Sequence, residues 1–260
     1  MVKTVLTIAG SDPSGGAGIQ ADIKVITVHR QYAMSVVTAL TAQNTCGVFD
    51  VLETPAAVVE AQLDCVLNDI PPDAVKIGMT GGRENIRVIA KKLREYEARS
   101  IVLDPLMVSS SGRRLLPRAA VVTLQEELFP LAALITPNLP EAEALTGRTL
   151  SNPAEREAAA AALEAAYGCA VLIKGGHAAQ AADDVLCADG TYTWFRAARI
   201  DNPNTHGTGC TLSSAIACAL ADGLPLPDAV RRAKAYLTGA LEARLSLGHG
   251  NGPLMHFYKR

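Results

Sequence analysis

Short runs of β-branched residues alternate along the chain with longer segments in which apolar residues recur every three or four positions. The first such pair is a predicted strand at residues 5–9 and a predicted helix at residues 19–29. Further strands are predicted at 36–40, 74–77, 101–103, 134–135 and 171–173, and further helices at 56–67, 86–96, 119–129, 155–166, 210–221 and 228–245. Strands joined through helices pair in parallel, and a parallel sheet needs cover on both faces. The pattern therefore predicts an α/β fold with a mainly parallel central sheet.

A second pattern appears near residue 190. Two β-rich runs, 185–188 and 191–195, flank Asp189-Gly190, a dipeptide favoured in tight hairpin turns. We expect an antiparallel hairpin at the edge of the sheet. Because no linker of domain-boundary length interrupts the chain, residues 1–260 are predicted to form a single domain.

Charge and composition limit the partners. The chain has 24 lysines and arginines against 26 aspartates and glutamates, a formal net charge of −2, so no summed positive field attracts nucleic acid or anionic lipid. Aromatic residues make up only 4% of the chain, too few for base-stacking platforms. We expect small-molecule partners, with no nucleic acid and no membrane.

The cysteines and the N-terminus indicate a compartment. Six cysteines lack a CxxC pair and five histidines lack paired helical spacing, which argues against a zinc site and a disulfide scaffold. The apolar run at the N-terminus reaches Ser11-Asp12 too soon for a signal peptide or a membrane span. We therefore expect a buried first strand and a protein of the reducing cytoplasm.

Loops that follow parallel strands gather at one edge of the sheet, where ligands bind. Residues 10–18 form a glycine-rich loop whose amides can approach a small molecule, but it has neither a dinucleotide fingerprint nor a P-loop. The stronger signal is Gly207-Thr208-Gly209, which opens directly onto an apolar helix. Free amides and the helix dipole at such a terminus suit the charge on a phosphoryl group being transferred.

Cys210 lies at the same helix start. A thiol in that position is expected to have a lowered pKa and to act as a base toward a substrate hydroxyl or as a nucleophile. The alternative is that Cys210 fills a small space at the helix start. His206, beside the glycine turn, is expected to make a turn-stabilising hydrogen bond.

Three other strand ends carry polar side chains: Asp104, Asn138 with Glu141, and Lys174. Singly, these are explained by a buried turn acceptor, a helix cap with its reciprocal acid, and a solvated strand end. Together they supply carboxylates for a hydrated Mg²⁺ and a lysine for phosphate, which favours phosphoryl transfer.

The chain resembles the hydroxymethylpyrimidine/phosphomethylpyrimidine kinases of thiamin biosynthesis, within the ribokinase-like superfamily. The resemblance runs over nearly the whole chain through the segments 9–22, 41–45, 76–79, 104–108, 136–141, 174–177 and 204–211. It implies a three-layer α/β/α fold, usually dimeric, and an enzyme that uses ATP with Mg²⁺. The reaction implied is phosphorylation of 4-amino-5-hydroxymethyl-2-methylpyrimidine to its monophosphate and then to its diphosphate.

The resemblance also implies roles for individual residues. The substrate site would comprise Gly10, Ala17, Asp22, Gln43, Met79 and Val108. Nucleotide would be bound by Asp104, Asn138, Lys174 and Thr208, and Mg²⁺ would be held through water by Asp104, Asn138 and Glu141. Catalysis would involve the amides of Gly207, Thr208 and Gly209 together with Lys174 and Cys210. Cys210 stands where many ribokinase-like enzymes carry an aspartate base, and Ser109-Ser110-Ser111 replaces a segment that holds a lysine in some relatives.

Alternative functions stay open at this point. The runner-up is a pyridoxal or pyridoxine kinase, because such enzymes share the cysteine-containing glycine loop. A catalytically silent vitamin-binding protein and a cysteine hydrolase using Cys210 are less well supported by the residues present. Residues 38–51 are a candidate lid, although an edge strand at a dimer interface would have the same pattern.

Overall fold

The computed structural model describes residues 1–107, 116–176 and 182–258. Its strands all belong to one sheet, in the order β3-β2-β1-β4-β5-β6-β7-β8-β9. The strands are β1 Thr4–Ser11, β2 Tyr32–Asn44, β3 Gly47–Glu53, β4 Ala74–Ile77, β5 Ile101–Leu103, β6 Leu134–Ile135, β7 Ala170–Ile173, β8 Asp184–Ala188 and β9 Thr191–Phe195.

The central strands β1, β2 and β4 to β7 pair in parallel. Antiparallel strands close both edges, β3 beside β2 at one and the β8–β9 pair at the other. The β8–β9 turn contains Asp189 and Gly190, both with positive φ, as a tight hairpin requires. The predicted parallel sheet and its peripheral hairpin are confirmed.

Helices cover both faces of the sheet. The helices are α1 Gly18–Val28, α2 Ala56–Asp69, α3 Arg83–Glu95, α4 Arg118–Glu127, α5 Leu139–Thr146, α6 Pro153–Tyr167, α7 Thr208–Ala221 and α8 Leu226–Glu242. In β1, Leu6 and Ile8 join a core with α2 to α6, while Val5 joins a second core with α1, α7 and α8. Alternate strand residues thus fill two separate cores, and the predicted three-layer α/β/α architecture is confirmed.

Two elements have no strand or helix predicted from a hydrophobic period. β3 overlaps residues 38–51 and forms the edge strand that was the alternative to a lid there. It is exposed or half-buried throughout, and its apolar residues Val48, Phe49, Val51 and Leu52 do not alternate with polar ones. α5 is only eight residues long and starts at a capping box formed by Asn138 and Glu141. That cap was predicted only as the alternative to a metal-binding role for Asn138 and Glu141.

Several predicted boundaries shift by a few residues, most clearly those of β2 and of the last helix. β2 is longer than the predicted strand at 36–40, because its outer half pairs with β3 instead of packing into a core. The last helix ends at Glu242 rather than at residue 245, and Arg244 takes a left-handed φ of 48° that breaks the helix. Within the described parts of the chain, no helix is both long and apolar enough to cross a membrane.

Candidate active site

A cleft of about 1060 Å³ opens at the carboxyl ends of the parallel strands. It brings together residues from loops far apart in the sequence. The predicted site residues on its wall are Gly10, Ala17, Gln43, Met79, Asp104, Asn138, Glu141, Lys174, Gly207, Thr208, Gly209 and Cys210. The predicted gathering of these loops at one sheet edge is therefore seen in the structure.

Two glycines allow the start of α7 to approach neighbouring groups closely. Gly207 has a φ of 82°, and a Cβ there would collide with the carbonyl oxygen of Gly16. A Cβ on Gly209 would lie 2.8 Å from Oδ2 of Asp104 and 3.5 Å from Nζ of Lys174. The first turn of α7 therefore lies directly against this carboxylate and this ammonium group, with its amides on the cleft side.

Lys174 and Asp104 form a buried ion pair, with Nζ 2.9 Å from Oδ1. Burial alone would lower the pKa of Lys174, but Asp104 and Glu141 outweigh it and the pKa is raised. Lys174 therefore stays charged at neutral pH. The structure excludes the alternative that it is a solvated strand end.

Asn138 and Glu141 form the cap of α5. Oδ1 of Asn138 accepts the Glu141 amide at 2.9 Å, and Oε2 of Glu141 accepts the Asn138 amide at 2.9 Å. The other carboxylate oxygen of Glu141, Oε1, accepts the amide of Met107 at 3.0 Å. Both oxygens of Glu141 are thus already engaged with backbone, as the capping interpretation predicts.

Cys210 is buried at the cleft floor, 5% exposed. Burial raises the pKa of its thiol, although the positive charge of Lys76 and a hydrogen bond from the Gly18 amide oppose this effect. The expected lowering of the Cys210 pKa by the helix terminus is therefore wrong. Desolvation dominates because the thiol is almost completely removed from solvent.

Asp22 does not line the cleft, although it was predicted to belong to the substrate site. Its side chain is fully buried. Oδ2 accepts hydrogen bonds from Lys76 at 2.7 Å and Thr7 at 2.6 Å, and Oδ1 accepts one from Ser214 at 2.8 Å. The carboxylate is thus occupied behind the cleft and does not contact a substrate in this arrangement.

Asp12 and Lys76 are two further residues of the site region for which no role was predicted. Asp12 closes the first loop, since its carboxylate accepts amide hydrogen bonds from Ser14, Gly16 and Ala17. Nε2 of His206 lies 2.8 Å from Oδ2 of Asp12, so the predicted histidine hydrogen bond is made to the first loop rather than within its own turn. An acidic residue directly after the first strand, at the start of the glycine-rich loop, is the sequence signal that could have identified Asp12.

Several predictions fall on residues outside the described part of the chain. These are the substrate contact of Val108, the serine run Ser109-Ser110-Ser111, and the last residue of the resemblance segment 174–177. Of the methionines near strand ends, Met34 is buried in the core, whereas Met79 and Met107 line the cleft.

The glycine-built start of α7, set against Lys174 and Asp104 in the cleft, is suited to a phosphoryl group in transfer, although the Thr208 amide there also donates to the Thr205 carbonyl at 3.2 Å. This arrangement places the protein among the kinases. The family model described as phosphomethylpyrimidine kinase matches residues 12–255. The chain belongs to this family.

Curated relatives and solved structures agree with this assignment. The hydroxymethylpyrimidine/phosphomethylpyrimidine kinase of Rhizobium meliloti is 49% identical, with 100% of this chain and 98% of the relative covered. The thiamine biosynthesis bifunctional protein ThiED of Geobacter sulfurreducens is 50% identical over 97% of this chain, which spans 52% of that longer protein.

Among solved structures, phosphomethylpyrimidine kinase from Clostridium difficile superposes with a TM-score of 0.82 at 42% identity, covering 91% of this chain and 98% of that chain. Pyridoxal kinase from Staphylococcus aureus, in complex with pyridoxal, superposes with a TM-score of 0.90 at 32% identity, covering 98% and 94%. The predicted family, the ribokinase-like fold and a kinase of thiamin biosynthesis are confirmed. As a kinase, the protein takes its phosphoryl group from a nucleotide.

Proposed function

We propose that the protein phosphorylates 4-amino-5-hydroxymethyl-2-methylpyrimidine with ATP and then phosphorylates the monophosphate to the diphosphate. One observation carries the proposal. The start of α7, with Lys174 and Asp104, shares a single cleft with Gln43 and Met79. A phosphoryl-transfer centre and a side-chain amide suited to a heteroaromatic ring are thus within reach of one substrate.

At the ring end of the cleft, Gln43 supplies the amide donor and acceptor that an aminopyrimidine edge requires. Met79 lies close to the backbone of Gly10, since a Cβ on that glycine would be 3.1 Å from its Sδ. Gly10 therefore lets the thioether form an apolar wall for a flat ring. Ala17 completes this end of the cleft.

In the first transfer, the substrate hydroxyl oxygen attacks the γ-phosphorus of ATP, the bond between that phosphorus and the β,γ-bridging oxygen breaks, and ADP leaves. The thiolate form of Cys210 accepts the hydroxyl proton as the base and becomes the thiol. The amides of Gly207, Thr208 and Gly209 and the charge of Lys174 stabilise the charge that develops on the transferred group. In the second transfer the nucleophile is an ionised phosphate oxygen, which has no proton for a base to remove.

The residues fit a hydrated Mg²⁺ rather than a directly ligated one. Within the described ranges, no group of three or more histidine, cysteine or acidic side chains is arranged to hold a metal. Asp104 is paired with Lys174, and both oxygens of Glu141 accept backbone amides. Asp104, Asn138 and Glu141 would therefore hold Mg²⁺ through its waters, and the ion would screen the phosphate charge when bound.

The burial of two neighbouring carboxylates supports this proposal. Burial raises the pKa of Glu141, and the charge of Asp104 adds to that rise while Lys174 opposes it. A divalent cation beside Glu141 would favour its ionised form.

Pyridoxal is the second candidate substrate, because the Staphylococcus aureus pyridoxal kinase in complex with pyridoxal shares the fold at a TM-score of 0.90. The test incubates purified protein with Mg-ATP and either alcohol and follows the products by mass spectrometry. Sequential mono- and diphosphate from the pyrimidine would support the proposed function. Monophosphate from pyridoxal alone would overturn it, and ligand binding without ATP consumption would favour the silent binding protein.

That the protein is cytoplasmic and forms a homodimer stays a prediction.

A further inference from the structure

The amide of Gln43 is held between two hydrogen-bonding side chains. One terminal atom of the amide lies 3.3 Å from Nε2 of His206, and the other lies 3.1 Å from Oγ1 of Thr41. The nitrogen and oxygen of an amide are told apart only by the donors and acceptors around them. Which atom faces which neighbour therefore follows from the protons on His206 and Thr41.

The proton on His206 is fixed by Asp12. Oδ2 of Asp12 lies 2.8 Å from Nε2 of His206 and also accepts the amide of Ala17 at 2.8 Å. Although burial acts to raise it, hydrogen bonds from His206 and Ser14 lead those that lower the pKa of Asp12 to about 2. An ionised carboxylate can only accept hydrogen bonds. Nε2 of His206 therefore carries a proton and donates a hydrogen bond to Oδ2 of Asp12.

The proton on Thr41 is also committed. Its hydroxyl donates to the carbonyl oxygen of Ser11 at 2.9 Å. A hydroxyl has a single proton, so toward Gln43 the Thr41 oxygen accepts. The amide nitrogen of Gln43 must therefore face Thr41, which places its oxygen toward Nε2 of His206. The Nε2–H group points chiefly at Asp12 and has no lone pair with which to accept, so it favours the amide oxygen over the amide nitrogen as its neighbour. The reverse orientation sets two donors against each other at His206 and two acceptors at Thr41.

We infer that Thr41 and His206 are positioning residues that lock the Gln43 amide in one orientation, and that this lock selects a ring edge with a nitrogen acceptor beside an amino donor. The inference rests on the proposed function, in which Gln43 contacts the pyrimidine. After Thr41 and His206 are satisfied, Gln43 keeps one N–H and one carbonyl lone pair for the cleft. An amide free to turn over would recognise either polarity of the edge, whereas a locked amide recognises one.

The test uses two ligands that differ only in this polarity. The 4-amino compound offers a ring nitrogen acceptor beside an N–H donor, and its 4-oxo counterpart offers a ring N–H donor beside a carbonyl acceptor. Their dissociation constants are measured by isothermal titration calorimetry at pH 8, with no nucleotide present. For the unmodified protein we expect the 4-amino compound to bind at least about tenfold more tightly.

Removing either lock should reduce this preference. Thr41→Val and His206→Leu are each expected to bring the ratio of the two dissociation constants to within about threefold of one. Thr41→Ser restores the hydroxyl and His206→Gln restores an N–H donor, so both should recover the preference. Thr191→Val and His249→Leu, at exposed positions, are the matched controls and should leave the ratio unchanged.

The outcomes separate this inference from the proposed function. If the unmodified protein converts the pyrimidine but does not distinguish the two ligands, the inference that Thr41 and His206 fix the orientation of Gln43 is overturned. The proposed function then stands. Variants that weaken both ligands equally would show that Thr41 and His206 serve only the structure. Failure to convert the pyrimidine at all would overturn the function itself.

Discussion

Nζ of Lys76 lies 2.7 Å from Oδ2 of Asp22, and neither side chain is exposed to solvent. The pair joins β4 to α1, and through Thr7 and Ser214 the same carboxylate also joins β1 and α7. Burial acts to lower the pKa of Lys76, but Asp22 and then Cys210 oppose it and the pKa is raised. A charged network therefore supports the floor of the cleft from behind.

Replacing one partner of this pair should be costly. Lys76→Met leaves Asp22 buried without its counter-charge, so we expect the free energy of unfolding to fall by about 3–5 kcal/mol. Urea denaturation followed by circular dichroism measures the change. The matched control is Lys3→Met, which removes an ion pair to Asp73 that is 44% and 32% exposed and should cost no more than about 1 kcal/mol. Equal losses in the two variants would show that the buried pair has no special role.

Removing the Cys210 thiol should affect the first transfer most. We expect Cys210→Ala to lower kcat with the hydroxymethyl substrate by about 100-fold with little change in KM, because the base is lost but the binding contacts remain. With the monophosphate as substrate, the same variant should lose less activity, since an ionised phosphate needs no base. Steady-state kinetics on both substrates measures this difference, and Cys65→Ala, at an exposed cysteine, is the control. Full turnover of the alcohol by the alanine variant would exclude Cys210 as the base.

The pH dependence of the same step follows from the enclosed thiol. Burial raises the pKa of Cys210, so the thiolate is a minor form at neutral pH and its fraction grows as pH increases. We expect kcat for the alcohol to rise with pH through the alkaline range, up to the thiol pKa. The Cys210→Ala variant should lack this rise. A pH-independent kcat in the unmodified protein would contradict the role of the thiol.

Most strands and helices were predictable from the segments in which apolar residues recur with a regular period. Buried strands such as β5 and β6 are continuous apolar runs, so their positions were predictable to the residue. β3 was not, because an edge strand held by backbone hydrogen bonds has no need of an apolar pattern. The eight-residue α5 was signalled only by its cap.

The site was predictable as a set of loops but not as a set of contacts. Glycines 207 and 209 and the strand-end groups Asp104 and Lys174 all reach the cleft, because the topology fixes where strand ends meet. The position of Asp22 was not predictable, since its three partners come from three other elements. Nor was the direction of the Cys210 pKa, which depends on whether desolvation or nearby positive charge dominates.

The approach of α7 to Asp104 makes Gly209 sensitive to a single added carbon. In Gly209→Ala the new Cβ would lie 2.8 Å from Oδ2 of Asp104, so the carboxylate must move away from its pairing with Lys174. We expect kcat to fall at least about tenfold, while thermal stability changes little because alanine favours a helix more than glycine does. Kinetics and a melting curve on the same preparation measure both. Gly47→Ala, where the added carbon has no atom within 4 Å, is the control, and equal activity in the two variants would contradict the prediction.

His256 should make stability depend on pH. Its ring is buried, Nε2 lies 3.0 Å from Oγ1 of Thr211, and burial lowers its pKa to about 4. An unfolded histidine titrates near 6.5, so between about pH 6.5 and 4 the unfolded chain binds a proton that the folded chain does not. Stability therefore rises with pH across this window, and acidification through it should remove about 3 kcal/mol. Urea unfolding at intervals from pH 7 to 4 measures how much the free energy of unfolding falls over this range. The fall should be smaller by about 3 kcal/mol in His256→Gln. It should be unchanged in His249→Gln, where the side chain is exposed. The same fall in all three proteins would show that the buried ring does not titrate in this range.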